Sequence, residues 1–245
     1  MGRNRPIPAI TPEDADYIRS FLIHQDDHVL AFNKPSGLAV QIAGGRGKSL
    51  DFLLWAFAKS NGKRPRLVHR IDSGTSGVLL VARTQPAAAH LSEQFAERRA
   101  AKTYIALVSG RLPDQDEGTS AVPLIKIPSD RGGRERMIGA QPGQQDAQSA
   151  QTHWKILSRQ GASALIEARP VTGRMHQIRA HLAEMGCPIL GDRIYGTGRI
   201  SADRLMLHAA GLDIAHPAGG TLELKAPLPD IIVSAAGALG LQVSD

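Results

Sequence analysis

Short β-branched runs and helically spaced apolar residues alternate along the chain, with turn residues between them. Val29–Phe32 reads as a strand, Asn33–Gly37 as a turn and Leu38–Val40 as a second strand. Ahead of them, Thr11-Pro12-Glu13-Asp14 reads as a helix start. Threonine can cap, proline suits the first turn, and the acids face the positive end; that helix is expected to stop before Asp26. Leu50 to Ala58 has the pattern of an amphipathic helix. Another helix begins at Pro86, turns Leu91 and Phe95 inward, and ends near Arg98-Arg99, where cations suit the negative terminus.

Val78–Ala82, Lys102–Val108, Trp154–Leu157 and Ala164–Ala168 read as further strands. Alternation along Lys102–Val108 puts Lys102, Tyr104, Ala106 and Val108 on one face. Met175, Ile178, Leu182 and Met185 recur at helical spacing, with Thr172 as the expected cap and Gly186 with Pro188 as the stop. At 100° per residue Arg174 falls on the flank of that buried stripe, where a guanidinium needs an anion. Residues 126–151 are polar and rich in Gly, Gln and Arg. They read either as a disordered insertion or as a basic loop that orders on RNA phosphates.

Composition narrows the class. A chain of 245 residues has room for one large domain or two small ones. No apolar run approaches the ~20 residues of a membrane span, and no apolar leader follows Met-Gly-Arg-Asn-Arg-Pro. The single cysteine, Cys187, excludes an internal disulfide and fits a reducing compartment, the cytoplasm by default. The net charge of +6 suggests a polyanionic partner, and the cations cluster at Lys63–Arg66, at Arg98, Arg99 and Lys102, and at Arg131, Arg134 and Arg136. Aromatics are only 4%, which disfavours a base-stacking platform and favours recognition of RNA backbone and shape.

Candidate chemistry centres on Val68-His-Arg-Ile-Asp-Ser-Gly-Thr-Ser-Gly77. Leu67–Val68 leads in and the buried strand Val78–Ala82 leads out, so strands hold Asp72 on a tight loop. Asp72 could merely cap its own turn. Ile-Asp-Ser-Gly-Thr also looks like an aspartic-protease signature, but that chemistry needs two facing carboxylates and no second Asp-Ser/Thr-Gly occurs. Gly44-Gly45-Arg46-Gly47-Lys48-Ser49 invites a phosphate-loop reading. The glycine required at position 42 is isoleucine, so it reads as a surface loop. His176, His181 and Cys187 lack zinc spacing and a fourth ligand.

His-Arg-Ile-Asp-x-x-Thr-Ser-Gly resembles the signature of the RluA-type pseudouridine synthases, with Ile71 where Leu is more usual. Lys34-Pro-x-Gly, Lys102-x-Tyr104-x-Ala-x-Val-x-Gly110, Thr172-Gly-Arg-x-His-Gln-Ile-Arg-x-His-Leu182, Gly186-x-Pro-Ile-x-Gly-Asp-x-x-Tyr-Gly196 and Arg204–Ala209 resemble further patterns of that family. The resemblance runs from about residue 23 to 229. Residues 1–22 precede it as a tail and helix, and 230–245 follow as a C-terminal extension.

What the resemblance implies is an α+β fold: one catalytic domain with a long, bent, mainly antiparallel sheet, flanking helices and a central cleft. The small N-terminal RNA-binding domain of many relatives is not expected. The implied reaction isomerises uridine to pseudouridine within structured RNA, transfer RNA or large-subunit ribosomal RNA. Asp72 would be the nucleophile, Arg174 would keep it charged and aimed, and Tyr104 would pack on the uracil. The target nucleotide must flip out, and Arg70 would fill the gap. His69, Thr75, Lys102, His176, Gln177 and Arg179 are the further candidates for holding RNA or base. No cofactor or metal is implied, since no electrons are transferred; a monomer that binds no membrane is the expected state. A non-catalytic RNA-binding factor on the same scaffold is the alternative.

Overall fold

A computed structural model of the chain describes residues 9–42, 47–128, 135–196, 200 and 202–243. The start of the basic tail, Gly44–Arg46 of the glycine-rich loop, and Arg131 and Arg134 lie outside them. The chain divides into two compact units, Met1–Ala100 with Asp213–Ala226, and Ala101–Leu212 with Pro227–Asp245.

In the first unit, helix α1 (Pro12–Arg19) starts as its residues dictate: Thr11 Oγ1 accepts the Asp14 N–H at 3.2 Å. It ends earlier than expected, and Leu22–Gln25 form strand β1. β1 pairs antiparallel with β2 (Val29–Lys34), which pairs antiparallel with β4 (Ser76–Ala82); the short β3 (Arg66–Leu67) also pairs with β4. All seven residues of β4 are buried, which is why they read as one apolar run without alternation. Ile18, Leu30, Phe32, Leu50, Leu53, Leu79 and Leu80 are fully buried in this unit. Each contributes about 1.5–3 kcal/mol of transfer free energy. Leu38–Val40 do not form the expected strand. The carbonyls of Ala39 and Val40 instead accept the Leu50 and Asp51 N–H groups at 2.9 Å, opening α2 (Leu50–Leu53), which continues as a 3-10 turn to Phe57. Helix α3 (Gln85–Ala96) is capped by Thr84.

Between β1 and β2, Asp26 ties down a tight turn. Its Oδ1 accepts the N–H groups of His28 and Val29 at 2.6 and 2.8 Å. Its Oδ2 lies 2.7 Å from His24 Nε2 and 3.1 Å from His216 Nε2. Burial alone would raise the Asp26 pKa, but these bonds outweigh it and hold the carboxyl well below the usual range.

In the second unit, strands β5 (Ala101–Ser109), β6 (Glu117–Ser120), β9 (Thr152–Gln160) and β10 (Ser163–Pro170) lie antiparallel in the order β6-β9-β10-β5. Helices α4 (Gln177–Glu184) and α5 (Asp230–Ala238) complete it, with Ile178, Leu182, Ile232 and Ala236 in the same core as Leu107, Val108 and Ile166. The segment read as a C-terminal extension is therefore part of this core. Residues 126–151 are not a loose insertion where they are described. β7 (Leu124–Pro128) and β8 (Glu135–Gly139) form a hairpin that buries Leu124 and Met137 with Ala150 and Ala180. Few apolar residues anchor it, so the surrounding Gly, Gln and Arg masked its period. The fold is mixed α/β, mostly antiparallel with few helices. No helix among the described residues is long and apolar enough to cross a membrane.

Candidate active site

Asp72 is half-buried on the loop between β3 and β4, and its carbonyl accepts the Thr75 N–H at 3.1 Å. Beneath that loop sits Lys34, a lysine with no exposed surface. Its ammonium donates to the carbonyls of Pro35 and Leu38 at 2.8 Å and of Ser73 at 3.1 Å. Ser36 Oγ donates to Gly74 O at 2.6 Å and the Gly37 N–H to Ser73 O at 2.8 Å. The Lys-Pro-Ser-Gly turn is thus the floor of the Asp72 loop. A buried ammonium is tolerable because carbonyl oxygens replace its water.

His69 stacks on Phe95, ring centres 4.4 Å apart, and its Nε2 accepts the Leu80 N–H at 2.9 Å. In the neutral ring the proton therefore sits on Nδ1. His69 locks the loop to β4. Arg70 is exposed, whereas Thr75 is only 2% exposed and faces the interior.

In the second unit, Tyr104 lies on β5 half-buried against the core, and Lys102 Nζ donates to Thr172 O at 3.4 Å. Helix α4 starts at Gln177, five residues later than its expected cap. His176 precedes it with φ +52°, a left-handed conformation unusual for histidine, and its Nδ1 lies 3.3 Å from Tyr195 Oη. Thr172 and Gln177 hold each other instead. Thr172 Oγ1 donates to Gln177 Oε1 at 2.6 Å, and that oxygen also accepts the Arg174 N–H at 3.0 Å. Gln177 Nε2 donates to Gln151 O at 2.9 Å and Thr152 Oγ1 at 3.0 Å. His181 lies 2.9 Å from Thr152 Oγ1 through Nδ1 and 3.0 Å from Val122 O through Nε2. Burial lowers the His181 pKa, which keeps it neutral with the proton on Nε2.

These contacts correct three expectations. The helical phase assigned to Arg174 does not apply, because Arg174 lies in the turn before α4 and donates from Nε to Ser149 O at 3.0 Å. Gln177 and Arg179 are 4% and 7% exposed, so neither reaches out for RNA. Arg179 pairs with Asp192 through Nε–Oδ2 at 2.7 Å and Nη2–Oδ1 at 2.8 Å. Burial would raise the Asp192 pKa; the bonds and charge of Arg179, with the N–H groups of Ile194 and Tyr195, bring it below the usual value. Cys187 is fully buried and its thiol is pushed up to about 11 by desolvation, leaving it inert.

Sequence reasoning quoted the Arg204 block but assigned that arginine no role. Burial lowers the Arg204 pKa, and its guanidinium donates to the carbonyls of Leu205 and Leu207 at 3.0 and 3.2 Å. Its backbone is pressed against Gly191, φ +72°, where an added Cβ would stand 1.8 Å from Arg204 O. The available signal was a charge at the edge of an apolar run: Arg204 leads directly into Leu205-Met206-Leu207.

Residues 28–184 match the family described as RNA pseudouridylate synthase. The chain belongs to that family. The matched span of this pseudouridylate synthase contains Asp72, Tyr104 and Arg174, and Arg204 lies beyond it. It is 39% identical over 203 residues to the dual-specificity RNA pseudouridine synthase RluA of Yersinia pestis, covering 82% of this chain and 94% of that one. It is 37% identical over 242 residues to ribosomal large subunit pseudouridine synthase C of Vibrio cholerae, covering 93% and 72%. Of the corresponding Vibrio parahaemolyticus protein it spans 66%. Among solved structures it superposes on human RNA pseudouridylate synthase domain containing 4 with a TM-score of 0.80 at 29% identity, covering 94% of this chain and 97% of that one. The expected isomerase class and mainly antiparallel fold accordingly stand.

Proposed function

We propose that this synthase converts uridines of structured RNA to pseudouridine with Asp72 as nucleophile. The observation that carries the reading is the Asp72 loop. A carboxylate on a turn pinned from below by a fully buried lysine and from the side by a stacked histidine is held for chemistry, beyond what capping a turn requires. In the reaction the N-glycosidic bond breaks, the uracil turns, and C5 bonds to the sugar carbon. The C5 proton then leaves and N1 regains one, so atoms balance without an external reactant. Tyr104 packs on the flipped uracil and assists loss of the C5 proton, and exposed Arg70 fills the gap in the stack.

For the countercharge to Asp72 there are two arginines. Sequence pattern favours Arg174, whose Nε donates to Ser149 O. Arg204 is the more desolvated, and donation to the Leu205 and Leu207 carbonyls fixes its guanidinium in one orientation, so we assign it the role. His69 and Lys102 position the loops, and His176 flanks the bound base. Names of relatives bring two substrate classes, large-subunit ribosomal RNA and the dual specificity of RluA. We take the substrate to be transfer RNA or large-subunit ribosomal RNA, acted on by a cytoplasmic monomer without metal.

The Asp72→Asn protein should bind RNA as wild type does and form no pseudouridine. Turnover by that variant would sink the assignment. Wild-type protein that binds RNA yet never isomerises a uridine would favour the non-catalytic alternative.

A further inference from the structure

The first unit carries a second basic feature that the Asp72 loop does not use. Two cavities of about 730 and 570 Å³ share Lys63, Arg64, Arg66, Gln85 and Ala89 in their walls, and so adjoin along one basic trough. Lys59 and Arg83 extend it at one side, and Gln41 and Asp51 at the other. No residue of the Val68–Gly77 loop is among those lining it. It holds five cations against one carboxylate, Asp51.

That carboxylate is already taken, since Arg64 Nη1 and Nη2 donate to Asp51 at 2.7 and 3.1 Å. Arg83 donates to the carbonyl of Asp26. Lys59, Lys63 and Arg66 are exposed and make no ion pair among the described residues. The start of α3 adds its positive end, with Gln85 and Pro86 in the wall. A pocket for a small organic ligand is mostly apolar, with a few convergent polar groups. This trough differs in its polar groups, which are almost all cationic and spread along its length, and Trp55 lies under the Arg64 guanidinium at 5.3 Å. Such a surface reads charge spacing and not base identity.

We propose that this trough binds the phosphodiester backbone of the substrate RNA away from the nucleotide being modified, with Lys59, Lys63 and Arg66 as its phosphate contacts. The proposal rests on the reading of the protein as an RNA synthase and adds backbone contacts to those made at the Asp72 loop. Cationic side chains on a pre-formed groove release counterions from the RNA, so the contribution is steeply salt-dependent.

The test is a Lys63→Ala/Arg66→Ala protein, with Lys59→Ala as a second, independent variant. Both are exposed substitutions that leave the core intact, which melting curves check. Binding to bulk transfer RNA and to a large-subunit ribosomal RNA transcript is measured across salt concentrations, and turnover is followed on whichever RNA wild type modifies. Expected for the double variant are binding about tenfold weaker at low salt and a slope of log K on log salt shallower by about 2. KM should rise with kcat unchanged, and Lys59→Ala should shift the slope by about 1. Unchanged affinity and slope in both variants would overturn the proposal. So would uridine monophosphate showing the same wild-type-to-variant ratio, since the trough would then be a free-nucleotide site. Wild type that forms no pseudouridine, while binding is still lost on substitution, would sink the synthase reading and keep the trough.

Discussion

The two polar-rich stretches, Val68–Gly77 and Val171–Asp192, look alike on paper and differ in the fold. In the first, the backbone is secured by other residues, and Asp72 and Arg70 are left outside the packed interior. In the second, the polar side chains are themselves the fastening: Thr172, Gln177, His181, Arg179 and Asp192 are all buried and bonded to one another or to backbone. A dense polar motif can therefore mark either a reactive surface or a polar core. What separates them is how deeply each polar side chain is packed into the interior.

The contrast can be broken most directly with the two aspartates. Asp72→Asn should cut pseudouridine formation by on the order of 10⁴-fold or more while melting stays near wild type. Asp192→Asn should do the opposite first: it strands the buried Arg179 charge and costs about 3–5 kcal/mol, read from urea unfolding. If Asp192→Asn kept full stability and lost only turnover, the division into reactive loop and polar core would be wrong.

A smaller effect sharpens the assignment of arginines. Arg204→Ala should lower kcat by about 10²–10³-fold, as removal of an electrostatic partner does, and Arg174→Ala by about tenfold or less. The reverse ranking in single-turnover rates would return the role to Arg174.

The smallest effect is the pH response of Asp26. Its folded pKa is depressed, so it contributes stability above its ordinary value of 3.8, and that contribution is lost as pH falls below it. Asp26→Asn should cost about 1–2 kcal/mol at neutral pH, and the gap to wild type should narrow in acid. A gap that stays constant down to pH 2 would show that shape at the turn, not charge, matters there.

Much of this was legible in the chain. β4 and β5 were plain because apolar and β-branched residues crowd them, and Thr11 and Gly186 marked the ends of their helices as capping chemistry requires. The Asp72 loop was legible because glycines and hydroxyls leave few alternatives to a turn. Leu38–Val40 misled because three apolar residues carry no sign of whether their carbonyls will serve a sheet or open a helix. Arg174 misled because helical phase was extended through Gly173 to residues that hydrogen bonds within Thr172–Gln177 hold in a turn. Arg179 and Gln177 could not be told from surface residues without Asp192 and Thr152, which are distant in sequence.

Gly191 has no room for even a methyl group, whose carbon would stand 1.8 Å from Arg204 O. An arginine thirteen positions away thus inherits its placement from the absence of a side chain. Replacement of Gly191 would displace the Arg204 backbone with every atom of Arg204 still in the sequence, so on the role proposed for Arg204 such a variant should lose turnover although no charged group has been removed.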